Sequence, residues 1–145
     1  MVRRWLSEDE VFPFWELRAA AQDLRRRHAA FDEENARRRI VAQLETLRRA
    51  SQRHVVLSAF GCGAFRNPAK SIARIYAEEI SLRLGEFDVV AFAIHYPGYG
   101  EDNFPAFVEA LSGVNLRPSA EAVSGALLDK TLHAHMADRV RYIKP

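Results

Sequence analysis

A single cysteine, Cys62, stands in the chain, so no internal disulfide can form. Without a disulfide framework nothing in the sequence points to secretion. Long apolar runs are also missing. The opening stretch Met1-Val2-Arg3-Arg4-Trp5-Leu6 lacks the apolar run of about 7–15 residues that a signal peptide needs. No stretch approaches the roughly 18 consecutive apolar residues of a membrane span. Charge of one sign is not in excess either: 21 Lys and Arg face 19 Asp and Glu, a net charge of +2, too small to argue for a nucleic-acid partner. The triplets Arg25-Arg26-Arg27 and Arg37-Arg38-Arg39 lie among acids and read mostly as solvated helix faces, with contact to a polyanion as the minority reading. These absences set the expectation of a cytoplasmic protein with neither membrane nor nucleic acid among its partners. What remains is the composition of a globular protein, 48% hydrophobic and 28% charged, at a length of 145 residues that suits one core.

The apolar pattern alternates between two periods. Val11 to Leu17 reads as a short strand, with Pro13 arguing for an edge position. Phe31 to Ala50 reads as an amphipathic helix: Asp32 caps it, Glu33 and Glu34 occupy its first turn, and Ile40, Leu44 and Leu47 form its apolar stripe. His54 to Ala59 is a β-branched run that reads as a buried strand. Pro68 suits the first turn of the next helix, which carries Ile72, Ile75, Tyr76 and Ile80 and stops near Gly85. Phe87 to His95 is apolar on both faces, as an interior parallel strand is. A short helix over 103–111 follows. A last helix over 120–139 places Leu127, Leu128, Leu132 and Met136 on one stripe. Strand and helix in strict alternation imply βαβ crossovers and a mainly parallel sheet.

The junction Ser58-Ala59-Phe60-Gly61-Cys62-Gly63-Ala64-Phe65-Arg66-Asn67-Pro68 carries the clearest chemistry. Glycines between a strand and a helix let consecutive backbone N–H groups converge on an anion, and the helix N-terminus adds favourable potential. Arg66 and Lys70 lie close in sequence. The spacing matches neither G-x-G-x-x-G nor the Walker pattern, so a plain tight turn is an equal reading of the glycines alone. Cys62 reads as a small apolar residue under the loop, because no base with an orienting partner accompanies it. His95 and Tyr96-Pro97-Gly98-Tyr99-Gly100 follow the last strand, where open α/β sheets bind ligands. Tyr96, Tyr99, Phe104 and Phe107 are candidates to stack on a base or a ribose, with core packing the stronger reading for Phe107. His133 and His135 are two apart and share no helix face, so no metal site is expected.

The element Gly61-Cys62-Gly63-Ala64-Phe65-Arg66-Asn67-Pro68, with Val90-Ala91-Phe92-Ala93-Ile94 and Asn103-Phe104-Pro105-Ala106-Phe107, resembles the C-terminal half of the microbial-type poly(ADP-ribose) glycohydrolases, which are macrodomains. Residues 16–25 resemble the preceding strand of that family. The resemblance covers 11–111, leaving 1–10 as an N-terminal extension and 112–145 as a linker and C-terminal helix. It implies an α/β fold: part of a macrodomain-like three-layer α/β/α arrangement with a mainly parallel sheet. It further implies ADP-ribose, or an ADP-ribosylated protein, as partner and no cofactor. Gly61, Cys62, Gly63, Ala64, Phe65 and Asn67 would hold the diphosphate and the nearer ribose, with Asn103 and Phe104 toward the adenosine.

The family's hydrolysis of ADP-ribosyl bonds depends on a glycine run followed by paired glutamates. No glycine precedes Gly61 here, and Glu33-Glu34 opens the arginine-rich helix. No residue is therefore assigned a catalytic role. The first strands of the family are also missing, which exposes an apolar sheet edge. The alternatives are a non-catalytic ADP-ribose or nucleotide-diphosphate binding module, or a partial domain that a homo-oligomer or another protein completes.

Overall fold

The computed structural model describes residues 7–11, 13–117 and 141–143. After a single 3-10 turn at Glu8–Glu10, the elements are α1 (Glu33–Arg49), β1 (His54–Leu57), α2 (Ala69–Ser81), β2 (Val89–Ala93), α3 (Phe104–Leu111) and β3 (Arg141–Ile143). The expected helix over 120–139 lies outside the described residues. The strands form one parallel sheet in the order β1-β2-β3, with His54 opposite Val89, Leu57 opposite Phe92 and Ala93 opposite Ile143.

Local rules explain where the helices begin. The Asp32 carboxylate accepts the Asn35 backbone N–H at 2.9 Å, and Glu33 and Glu34 fill the first turn of α1. Pro68 stands one place before the first residue of α2, as its cap. Pro105 sits in the first turn of α3, where a missing N–H leaves no helical bond unmade.

All three helices pack on one face of the sheet. Val55, Leu57, Val90 and Phe92 point to that side and share one core with Ile40 and Leu44 of α1, Ile72, Ile75, Tyr76 and Ile80 of α2, and Phe107 and Leu111 of α3. The Tyr76 ring meets the Phe92 ring edge-on at 5.2 Å, and Phe107 lies 5.3 Å from Phe92. The other face is different. His54, Val56 and Ala93 are exposed there and Ala91 alone is buried. Two layers, not three, are therefore built from the described residues.

Two expectations need correction. The strand expected over Val11 to Leu17, like the one the resemblance implies over 16–25, is not formed: Val11 and Pro13 to Ala20 are exposed coil, and no strand among the described residues offers them a ladder. Nor is Arg37 a solvated surface residue. Its guanidinium donates to Glu79 at 2.8 Å and to Glu78, joining α1 to α2. Arg39 donates to Asn35 Oδ1 and the Ala20 carbonyl, both at 2.7 Å. Arg38 alone of that triplet is exposed.

A candidate anion-binding loop

β1 ends at Leu57, and the chain then makes three short closures before α2. Cys62 N–H donates to the Ala59 carbonyl, Arg66 N–H to Gly63 and Asn67 N–H to Gly61, each at 3.0 Å. Asn67 is the pin. It is 4% exposed, and its Nδ2 donates to the Gly61 carbonyl at 3.0 Å and to the Gln22 carbonyl at 2.8 Å. The second bond ties the loop to the irregular stretch before α1, as does the Leu24 N–H donating to the Phe65 carbonyl at 3.1 Å. Gly61 sits at φ +74°, and Arg66 is held at φ +60°, a region that residues with a Cβ enter at a cost of about 1–2 kcal/mol.

What the closures leave unused defines the site. Among the described residues, the N–H groups of Gly63, Ala64 and Phe65 donate to no acceptor in the protein. Gly63 and Ala64 are exposed, and a Cβ built on Gly63 meets nothing within 4 Å. The first turn of α2, which follows at once, has no side-chain cap. Consecutive free amides beside an uncapped helix N-terminus favour an anion. Three cations are close to them in sequence or in space. Arg66 and Lys70 are exposed, and the Arg25 guanidinium lies 5.0 Å from the Phe65 ring centroid. Arg25 is itself steered by Asp23, whose carboxylate it meets at 2.7 Å.

Asn103 and Phe104 open α3, in the segment that leaves β2 at the carboxyl edge shared with the glycine loop. Both are half-buried. The Phe104 N–H donates to Asp102 Oδ1 at 3.0 Å, and Asn103 makes no side-chain cap bond. Tyr99 is 77% exposed, whereas Phe107 is fully buried as core. Gly61 to Asn67 are thus gathered into one loop. Asn103 and Phe104 stand on a separate segment, ten residues beyond the end of β2. Sequence reading missed Arg25 and Gln22, because their contacts to the loop span 40 and 45 positions and leave no local signature.

Cys62 packs against the core with its Sγ 3.7 Å from the Phe60 carbonyl. Burial pushes its thiol up to about 12, so it is no thiolate at neutral pH. The early acidic pair is engaged elsewhere. Glu33 meets Arg74 at 2.7 Å, and Glu34 lies 3.8 Å from Arg38. Asp23, reaching the loop through Arg25, is held down to about 2 by hydrogen bonds from the Arg25 side chain and backbone. An acid catalyst must carry a proton near the working pH, which Asp23 does not. His133 and His135 lie outside the described residues, and no helix among those described is long and apolar enough to cross a membrane.

No family model matches the chain, no curated protein matches it, and no solved structure does.

Proposed function

We propose that the chain binds ADP-ribose, or a related nucleotide diphosphate, at the Gly61–Asn67 loop without hydrolysing it. The reading rests on the three consecutive unused amides of Gly63, Ala64 and Phe65 beside the uncapped start of α2. Arg25, Arg66 and Lys70 supply the balancing charge. Phe65 and the exposed Tyr99 offer ring faces for sugar and base. Hydrolysis would need a carboxyl poised to protonate the leaving oxygen or to activate water. Asp23, which reaches the loop through Arg25, is held down to about 2 and so neither carries that proton nor serves as an effective base. Glu33 and Glu34 face Arg74 and Arg38 instead, so binding is the function proposed.

Calorimetric titration with ADP-ribose tests this directly. Binding is expected for the native chain and loss of about tenfold or more in affinity for Gly63→Val, roughly the 1.4 kcal/mol that fills the open space above the amides. Gly63 suits the test because a Cβ added there meets no protein atom within 4 Å. Unchanged affinity in the variant would place the ligand elsewhere. Incubation with poly(ADP-ribose) is expected to release no ADP-ribose above buffer, and a measurable rate would overturn the non-catalytic reading.

A further inference from the structure

Among the cations close to the glycine loop, Arg25 differs from Arg66 and Lys70 in having a fixed head group. The Asp23 carboxylate accepts from its Nε at 2.8 Å, from its Nη2 at 2.7 Å and from its backbone N–H at 3.1 Å. The guanidinium carbon stands 5.0 Å from the Phe65 ring centroid. Phe65 is itself tethered to this stretch, because its carbonyl accepts the Leu24 N–H at 3.1 Å. Arg66 and Lys70 are exposed, and neither side chain makes a hydrogen bond or ion pair among the described residues.

The pairing leaves part of the guanidinium fork open. Of its five N–H donors, the Nε–H and one on Nη2 go to Asp23, so three remain on Nη1 and Nη2. The Arg25 side chain is 53% exposed, so a ligand can reach them. Asp23 offsets part of the cation's charge but sets the direction of the remaining donors. A carboxylate that locks one side of a guanidinium preorganises the other for an oxyanion.

The unused amides of Gly63, Ala64 and Phe65 suit one phosphoryl group. A second phosphoryl group on the same ligand needs donors of its own. We propose that Arg25 supplies them, and that Asp23, as its positioning residue, gives the site a preference for a diphosphate over a monophosphate. The inference rests on the reading of this loop as the anion site. Arg66 and Lys70 carry charge as well, but each must be immobilised on binding. That costs rotamer freedom which Arg25 has already lost in the fold. A lysine in place of Arg25 would keep the charge without the planar fork.

Calorimetric titration of the full chain with ADP-ribose, ADP and AMP tests the assignment, since ADP adds only a phosphoryl group to AMP. Both diphosphates are expected to bind the native chain about tenfold or more tightly than AMP. Arg25→Lys and Asp23→Asn should each narrow that preference to about threefold or less. The ratio is the readout, because a variant that merely lost folded protein would lose all three ligands alike. Asp23→Asn is the sharper variant. It removes a negative charge from beside an anion site, so charge alone would tighten every ligand. A preference that survives either substitution, or ADP-ribose bound more tightly by Asp23→Asn, overturns this proposal and leaves the loop as the site. Equal native affinities for ADP and AMP do the same. A native chain that binds none of the three overturns the proposed function along with it.

Discussion

A methyl group added at Gly61 would stand 2.4 Å from Ala21 Cβ and 2.6 Å from Asn67 Nδ2, on a backbone already at φ +74°. Gly63, two places on, has neither constraint. The glycines therefore serve different ends: Gly61 lets the Asn67 pin close on the stretch before α1, and Gly63 keeps the outer rim of the loop bare. Gly61→Ala should destabilise the fold by about 2–4 kcal/mol, from the left-handed backbone and the overpacking together. Gly63→Ala should be neutral or stabilise by about 0.4–1 kcal/mol through the stiffened unfolded chain. Urea denaturation of the two variants reads both. Equal losses would mean that Gly63 is as closely packed as Gly61. This contrast was not legible in the sequence, where the two glycines are equivalent partners of one motif. Only the distant contacts of Ala21, Gln22 and Asn67 separate them.

Between α1 and α2 the charges form a lattice rather than a surface. Arg37 bridges Glu78 and Glu79, Arg83 donates to Glu79 at 2.8 Å, and Arg74 joins Glu78 to Glu33. Burial pulls the Glu79 carboxyl upward, but hydrogen bonds from Arg37 and Arg83 outweigh it, and it rests below its ordinary value. Glu78 is lowered by its hydrogen bonds from Arg37 and Arg74. A lowered carboxyl contributes stability that is present in full above its unfolded value, about 4.3, and lost as pH falls through the folded one. Unfolding free energy should therefore hold level above about pH 5 and decline below about pH 4. Arg37→Met should lower stability by about 2–3 kcal/mol at neutral pH, with a shallower acid decline because Glu79 keeps one partner fewer. Urea midpoints measured across pH check both, and an acid limb of native steepness in Arg37→Met would detach Glu79 from that pairing. The helices themselves were readable from the sequence because their signals are local: Asp32 as cap, apolar spacing through Ile40 and Leu44, Pro68 at the turn into α2. Val11 to Leu17 has the composition of a strand, yet its described residues, Val11 and Pro13 to Leu17, are coil, since a strand exists only where a second backbone stands beside it.

At the scale of the molecule, one face of the sheet is built into the core and the other is bare among the described residues. That asymmetry ranks the elements by how tightly they are held. α2 contributes Ile72, Ile75, Tyr76 and Ile80 to the core and touches both other helices, and β2 lies between two strands with Val90 and Phe92 fully buried. β1 has one paired edge, with Val56 73% exposed. Among the described residues, the backbone of Trp15 to Ala19 makes no hydrogen bond. Amide hydrogen exchange follows local opening, and groups released only by global unfolding exchange slowest. The slowest amides should thus be those of α2 and β2, with β1 intermediate and residues 15–19 exchanging as a free chain at about 1 µM. Adding ADP-ribose should slow Gly63 to Phe65 and leave residues 15–19 unchanged. Protection that spread to residues 15–19 on adding ADP-ribose would mean that the ligand's site reaches beyond the Gly61–Asn67 loop.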